Sequence, residues 1–217
     1  LTSDPTGFDY WNILVGQGDY YNPIFIDNGE KRQIEGYATN ITTDLALDWL
    51  DNKRDKSKPF CLLLHHKAPH RTWMPDTCDL RLYDDVTFPL PENFDDYAGR
   101  IAASEQEMSI IKDMDIVYDL KMADKENEIH SSNADLEKYG RELYNRMNPD
   151  QKAAWDAYYD PIIQDFKAKK RTGKELAEWK YQRYMHDYLR VIHSVDRNIG
   201  IVLDYLEKND LLDNTLI

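Results

Sequence analysis

A group of basic side chains follows the most apolar run of the sequence. Residues 59 to 75 read "PFCLLLHHKAPHRTWMP", so His65, His66, Lys67, His70 and Arg71 come together directly after the leucines. Imidazoles transfer protons and bind metals near neutral pH, whereas lysine and arginine supply hydrogen-bond donors and positive charge. Two kinds of chemistry are therefore open, a metal centre or a site for an anionic group of oxygen atoms.

The metal interpretation fails on spacing. A helical zinc-protease site needs two histidines four residues apart, with a glutamate directly after the first. His66 and His70 have that separation, but Lys67 occupies the glutamate position and Pro69 lies inside the required helix. Proline removes a helical hydrogen bond and clashes with the preceding turn, so this segment is not predicted to form the helix.

The element that must position these side chains is a predicted β-strand over residues 59–65. Strand alternation directs His65 and His66 to opposite faces, with His65 expected to be partly buried. Open α/β sheets bind ligands in loops at the carboxyl ends of their strands. Lys67, His70 and Arg71 in such a loop suit an anionic oxygen cluster. A surface loop that is basic without a function remains equally open from spacing alone.

The remaining elements alternate between helix and strand. Residues 1–30 indicate short strands with turns at 16–18 and Asn28–Gly29. Thr42–Thr43–Asp44 is predicted to cap a helix that runs to about residue 53. Residues 74–100 indicate an extended surface loop, and helical patterns resume near 101.

A second set of helices follows and leads into another predicted strand. Asn148 and Pro149 are predicted to open a helix, because proline is tolerated in a first turn. The clearest helix covers about 173–208, and one apolar stripe is predicted on it, formed by Tyr184, Tyr188, Ile192, Val195, Ile199, Val202 and Leu206. A strand is predicted after Asp213–Asn214. Two helix-to-strand passes separated by a helical insertion predict an α/β fold.

The charge and composition of the chain restrict the classes of partner that it can bind. The formal net charge of −13 argues against nucleic acid, which needs clustered lysine and arginine. Salt screens surface charge within about 8 Å, so a local cationic pocket can still bind a small anion. No apolar run has the length of a membrane span. The sequence lacks an initiating methionine and a signal peptide and stops in a starting apolar run, so we expect an internal piece of a longer protein.

The run "PF", the apolar strand and "KAPHRTW" together resemble the central strand and loop of type I sulfatases. Further segments match in order, namely "GFDYWNILVGQGDYYNPIFI", "TTDLALDWLDNK", "YDDVTFPLPENF" and "WKYQRYMHDYLRVIHSVDRNIGIVLDYLEKNDLLDNTLI". The resemblance covers nearly the whole chain and is weakest between about 124 and 147. Within the family, the sequence is most similar to N-acetylglucosamine-6-sulfatase-like enzymes that act on glycans.

The resemblance implies an alkaline-phosphatase-like fold, a layered sheet with flanking helices, present here as a partial domain. Residues 1–217 would be the central part of the catalytic domain, with a loop and helical insertion at about 75–172 and a long helix leading into a core strand at 173–217. Family members use a formylglycine made from Cys or Ser in a C/S-x-P-S-R motif. Neither Cys61 nor Cys78 stands in that motif. The nucleophile and the calcium ligands are therefore expected outside this sequence, and no metal-ligating residue is assigned within it.

The resemblance also assigns roles to three residues. His70 matches the histidine that contacts the substrate sulfate, and Lys67 and Arg71 are assigned to substrate binding. The implied activity is hydrolysis of sulfate esters, in particular 6-O-sulfate on N-acetylglucosamine-type sugars, by an exported protein (periplasmic, secreted or lysosomal-type). Two alternatives stay open. One is a phosphoesterase or phosphonate hydrolase of the same superfamily, and the other is a non-catalytic glycan-binding or structural module.

Overall fold

The computed structural model describes residues 3–94, 99, 101 and 109–217. The acidic pair Asp95–Asp96 and most of the helical pattern expected from about residue 101 lie outside this part. The chain divides into two compact units. Unit 1 comprises Leu1–His70 and Val191–Ile217, and unit 2 comprises Arg71–Arg190. Each unit is described by itself.

Unit 1 begins with a three-stranded antiparallel sheet. Its strands are β1 (Asn12–Leu14), β2 (Ile24–Asp27) and β3 (Glu30–Gln33), hydrogen-bonded in that order. The β2–β3 connection is a two-residue turn in which Asn28 has φ 45° and Gly29 has φ 96°. Asparagine and glycine tolerate this left-handed backbone, which matches the twist of a hairpin. The predicted turn is confirmed.

Helix α1 (Ala38–Asp48) follows the sheet and continues as a π-helical turn over Trp49–Lys53. The predicted cap is wrong, because Thr42 and Thr43 lie inside the helix. Their hydroxyls donate to the carbonyl oxygens four residues earlier, at 2.7 and 3.2 Å. The helix starts sooner because the Ala38 N–H donates to the Tyr20 carbonyl at 2.8 Å. Backbone from a distant segment thus replaces a side-chain cap.

Residues 59–66 have no regular secondary structure, so they do not form the strand predicted at 59–65 with any of the described residues. Their side chains nevertheless alternate, with Phe60, Leu62, Leu64 and His66 half-buried and Cys61, Leu63 and His65 exposed. The predicted separation of His65 and His66 onto opposite faces is confirmed. The expectation that His65 is partly buried is wrong. A strand requires a hydrogen-bonded neighbour, which sequence alternation alone does not provide.

Unit 2 contains helices α2 (Ala134–Asn145) and α3 (Pro149–Lys169). Asn148 caps α3 through a reciprocal capping box with Gln151, as its position before Pro149 predicts. The predicted surface loop at 74–100 is wrong at its beginning, where Met74, Asp76, Asp79 and Leu80 are buried. A short 3-10 turn over Thr77–Asp79 packs against α3, which explains that burial.

Helix α4 (Gly173–Lys208) has the predicted bounds, but a different face of it is buried. Of the seven residues in the predicted apolar stripe, Leu206 is buried, whereas Ile199 is 45% exposed. The buried positions are mainly polar, and they comprise Ala177, Lys180, Arg183, Asp187, Arg190, Val191, Ser194, Asn198 and Leu206. Charge pairing, described below, is the physical reason that these polar residues can be buried.

The end of the chain also differs from the prediction. After α4, a 3-10 turn covers Leu212–Asn214, and residues 215–217 have no regular structure instead of forming a strand. Leu216 and Ile217 are exposed. As at residues 59–66, the apolar pattern is present without a strand partner among the described residues.

Candidate functional site

The predicted catalytic histidine lies in a tight turn of unit 1. The His70 N–H donates to the Lys67 carbonyl at 3.0 Å, and the Ala68–Pro69 peptide bond within the turn is cis. The His70 carbonyl accepts a 2.6 Å hydrogen bond from the Tyr20 hydroxyl. The imidazole itself is on an exposed residue. The backbone of His70 is therefore held in the turn, and its side chain is exposed.

Tyr20 holds this turn from the core. It is 1% exposed, and its ring stacks on Tyr37 with centroids 5.9 Å apart. Burial raises the pKa of the Tyr20 hydroxyl well above its ordinary value, so the group stays protonated and remains a donor. Tyr20 lies between β1 and β2, and the sequence contains no signal for its contact with His70, since the two residues are 50 positions apart.

Lys67 lies against the same tyrosine. Its Nζ donates to the Gln17 carbonyl at 3.0 Å and lies 4.7 Å from the Tyr20 ring centroid. Burial lowers the pKa of the Lys67 ammonium, while the nearby Asp19 carboxylate opposes that shift. An ammonium has three N–H donors, so protons remain for a further acceptor. The turn thus carries an exposed histidine and a tethered cation three residues apart.

His66 differs from its neighbours in having no hydrogen-bond partner among the described residues. Both of its ring nitrogens are buried and unpaired. Burial lowers the pKa of the imidazole, and the adjacent His65 lowers it further, which favours the neutral form. A buried polar group without a partner destabilises a fold, so the His66 imidazole is expected to lower the stability of the chain.

Arg71, the second predicted substrate-binding residue, belongs to unit 2 and is held in an ion pair there. Its Nε and Nη2 each donate to one oxygen of Asp119, both at 2.6 Å. The Asp119 side chain is 2% exposed and also accepts from the Asp115 N–H at 2.8 Å. This bidentate geometry orders the loop around Asp119. The assigned substrate contact of Arg71 stays a prediction.

Sequence reasoning missed a buried charge cluster in unit 2. Asp187 is fully buried, and its carboxylate accepts hydrogen bonds from Lys121 (3.1 Å), Tyr159 (3.0 Å), Arg183 (3.2 Å) and Arg190 (3.3 Å). Burial by itself would raise the pKa of Asp187, but the three cations outweigh it and lower the pKa. The spacing of Arg183, Asp187 and Arg190 by four and three residues was a usable signal. Nothing in the sequence indicated Lys121 or Tyr159.

One group among the described residues brings three possible metal ligands together. The ligand atoms of Asp76, Cys78 and Asp79 lie within 4.8 Å of one another. Calcium takes six to eight oxygen ligands, and a thiol is a poor ligand for a hard cation. The cluster does not fit calcium, so no step of the chemistry is assigned to it. Among the described residues, no helix is both long enough and apolar enough to cross a bilayer.

Comparison with known proteins identifies the family. The sulfatase family model matches residues 4–217, so the chain belongs to the sulfatase family. It is 46% identical over 222 aligned positions to an N-acetylglucosamine-6-O-sulfatase of Bacteroides thetaiotaomicron, an alignment that covers 100% of this chain and 39% of the relative. It is 30% identical over 95 residues to the N-acetylglucosamine-6-sulfatase of Homo sapiens, covering 42% of this chain and 17% of that protein.

A solved structure agrees with this assignment. BT4656, in complex with its substrate D-glucosamine-2-N,6-O-disulfate, superimposes with a TM-score of 0.88 and is 44% identical, covering 98% of this chain and 43% of that one. The expected fold class, a partial α/β domain of the sulfatase type, is confirmed. The chain spans about two fifths of the length of the Bacteroides relative and of the solved structure.

Proposed function

We propose that this chain is part of a sulfuric ester hydrolase that removes sulfate from glycans, in particular the 6-O-sulfate of N-acetylglucosamine-type sugars. The observation that carries the proposal is the 46% identity, across the whole chain, to a protein with that named activity. The structural neighbour, 44% identical, holds a 6-O-sulfated glucosamine as its substrate. The substrate partner we propose is therefore a sulfated carbohydrate.

We assign His70 the catalytic role within this chain. Its imidazole is exposed and its backbone is held by Tyr20, so the ring can be presented in a fixed direction. A histidine there can donate a proton or a hydrogen bond to a sulfate oxygen or to the leaving-group oxygen. Lys67 supplies a second donor on the same turn. Arg71 is proposed to bind substrate through its guanidinium, which is partly exposed.

The remaining machinery is proposed to lie outside these residues. That machinery comprises the formylglycine nucleophile and the calcium ligands, since neither cysteine stands in the formylglycine motif and the Asp76 cluster does not fit calcium. We also propose that the protein is exported, and that about 75–172 is an insertion within one catalytic domain.

The deciding experiment substitutes His70→Ala in the full-length protein and measures sulfate release from N-acetylglucosamine-6-sulfate. We expect kcat to fall by about 10²- to 10⁴-fold, the usual range for a general acid or base. His130→Ala is the matched control, because it removes an imidazole from an exposed position in unit 2. A fall of less than about tenfold for His70→Ala contradicts the catalytic assignment.

The same assay separates the two alternatives. A phosphoesterase would release phosphate from N-acetylglucosamine-6-phosphate faster than sulfate from the sulfated sugar. A glycan-binding module would bind the sulfated sugar and release no sulfate. We expect sulfate release to be the faster reaction, and either alternative result would overturn the proposed function.

A further inference from the structure

Unit 2 contains a cavity that the proposed sulfate chemistry does not use. It has a volume of about 210 Å³ and lies among the loop at 117–125, α2 and α3. Its apolar wall is formed by Met74, Val117, Trp155, Tyr159 and Ile163. Trp155 and Tyr159 stack with ring centroids 4.3 Å apart. Ligand pockets for drug-sized molecules run from about 300 to 1,000 Å³, so this cavity suits one ring.

The volume of this cavity can be compared with that of a cavity whose ligand is known. An engineered cavity of about 150 Å³ holds benzene, so 210 Å³ accommodates a six-membered ring with substituents. The wall supplies apolar contact for a ring face. The polar groups along the cavity lining include Lys125, Tyr144, Asn145, Asp156 and Asp160, and these can bond hydroxyl or amide substituents.

The charges that line the cavity are all paired. Three lining cations have carboxylate partners, namely Lys121 with Asp187 (3.1 Å), Lys125 with Asp160 (2.7 Å) and Arg141 with Glu137 (3.1 Å). The three lining carboxylates are likewise paired, Asp124 with Lys167 (3.1 Å) and both Asp156 (3.0 Å) and Asp160 with Lys125. Among the described residues, no lining charge is therefore left without a partner to attract a charged ligand, whereas an uncharged ligand needs none.

Acceptor capacity for hydroxyl groups remains on the lining. A carboxylate offers about four lone-pair sites, and Lys125 occupies one on Asp160. Asp156 accepts from the Tyr144 hydroxyl at 3.0 Å and from Lys125. Hydroxyl donors of a sugar can therefore bond these carboxylates while the ion pairs stay intact.

We propose that this cavity of unit 2 binds one uncharged sugar ring, such as an unsulfated hexose or N-acetylhexosamine. The ring face lies against the apolar wall, and its hydroxyls bond the carboxylates of the lining. The proposal rests on the cavity itself and holds whether or not the protein hydrolyses sulfate esters. It assigns unit 2 a role in contacting a neutral sugar of a glycan chain.

The test measures binding of four free sugars to the full-length protein by ligand-observed NMR. The probes are glucose and N-acetylglucosamine as neutral rings, and glucosamine and N-acetylglucosamine-6-sulfate as charged ones. One ring of this size is expected to bind with a Kd of about 1 mM or weaker. Ala123→Leu fills the cavity, and Ala157→Leu adds the same side chain at an exposed position of α3.

We expect Ala123→Leu to weaken neutral-sugar binding at least about tenfold and Ala157→Leu to leave it unchanged. Unchanged neutral-sugar binding in Ala123→Leu would overturn the proposal. Asp160→Asn offers a second check that keeps the shape of the side chain. This substitution is expected to weaken the binding of the neutral sugars. Because it removes one of the carboxylates that neutralise Lys125, it is expected to strengthen the binding of the sulfated sugar. Binding that Ala123→Leu weakens is binding in the cavity. If that part of the binding is stronger for the charged sugars than for the neutral ones, the proposal also fails.

Discussion

The turn region of unit 1 and the helical region of unit 2 differ in whether their buried polar groups have partners. In unit 2, buried Asp187 is surrounded by three cations and a tyrosine hydroxyl, and Arg71 has its Asp119 partner. In unit 1, the segment at 59–66 has no strand neighbour among the described residues, and His66 has both ring nitrogens unpaired. Unit 2 pairs the Asp187 and Asp119 carboxylates with buried or half-buried cations, although Arg171 Nη1 and Arg183 Nε are buried without a partner among the described residues. Residues 59–66 instead leave both nitrogens of a half-buried imidazole unpaired.

The largest effect is expected at Asp187. Asp187→Leu leaves Lys121, Arg183 and Arg190 buried without their shared carboxylate, and removing one partner of a buried ion pair costs about 3–5 kcal/mol. The free energy of unfolding, measured with urea, should fall by that amount. Asp204→Leu is the control, because its carboxylate is 68% exposed and lies 3.8 Å from Lys208, so a change within about 0.5 kcal/mol is expected. A comparable loss in both variants would contradict the internal pairing of unit 2.

A smaller loss of stability is expected on substitution of Arg71. Measuring stability and KM together distinguishes a structural role of this residue from a role in substrate binding. Arg71→Lys replaces a bidentate contact with a point charge, which should lower the free energy of unfolding by about 1–2 kcal/mol. Arg81→Lys is the control, since the Arg81–Asp84 pair is longer at 3.7 Å and exposed. In the full-length protein, a substrate contact predicts an increase in KM for the sulfated sugar. An unchanged KM with lowered stability would leave Arg71 a purely structural residue.

The smallest change in stability is expected on substitution of His66, and it is a gain instead of a loss. His66→Leu removes unpaired ring nitrogens from a half-buried position, so this chain should gain up to about 1 kcal/mol in stability at neutral pH. His65→Leu, on the exposed face, should change stability by less than about 0.5 kcal/mol. Destabilisation by His66→Leu would mean that the imidazole has a partner, and the contrast between the units would fail at this residue.

The pH dependence of His66 follows from the lowered pKa. The unfolded chain has an ordinary histidine pKa of about 6.5 and therefore takes up a proton before the folded chain does. His66 therefore adds no pH-dependent destabilisation above about pH 6.5, and it destabilises the fold progressively as pH falls toward the folded pKa. Unfolding curves measured across this window should show less acid destabilisation in His66→Leu than in the unaltered chain.

Sequence predicted the features that depend on local chemistry. The Asn28–Gly29 turn, the Asn148 cap and the bounds of α4 are set by neighbouring residues, and all three are confirmed. The start of α1 depends on a backbone carbonyl of Tyr20, and the buried face of α4 depends on Lys121 and Tyr159. Those partners are distant in sequence, so a pattern of hydrophobic residues predicted the wrong cap and the wrong buried face.

The candidate site was predictable in composition but not in arrangement. The cluster of basic residues and the resemblance to sulfatases indicate His70, Lys67 and Arg71. The contacts that hold them connect residues 50 and 48 positions apart, Tyr20 to His70 and Arg71 to Asp119. Spacing along the sequence carries no information at that range. The substitutions of His70 and Arg71 above test whether those two residues act on the substrate, and the role of Lys67 stays a prediction.

The segment at 59–66 also affects the tendency of this chain to associate with other copies in solution. It combines apolar side chains, exposed Cys61 and Leu63, and a backbone without ladder partners in the described structure. Unpaired strand backbone is a template for pairing with another chain, and low local charge favours that association. The net charge of −13 opposes it through mutual repulsion, which salt screens. The colloidal stability of this chain should therefore decrease as ionic strength rises.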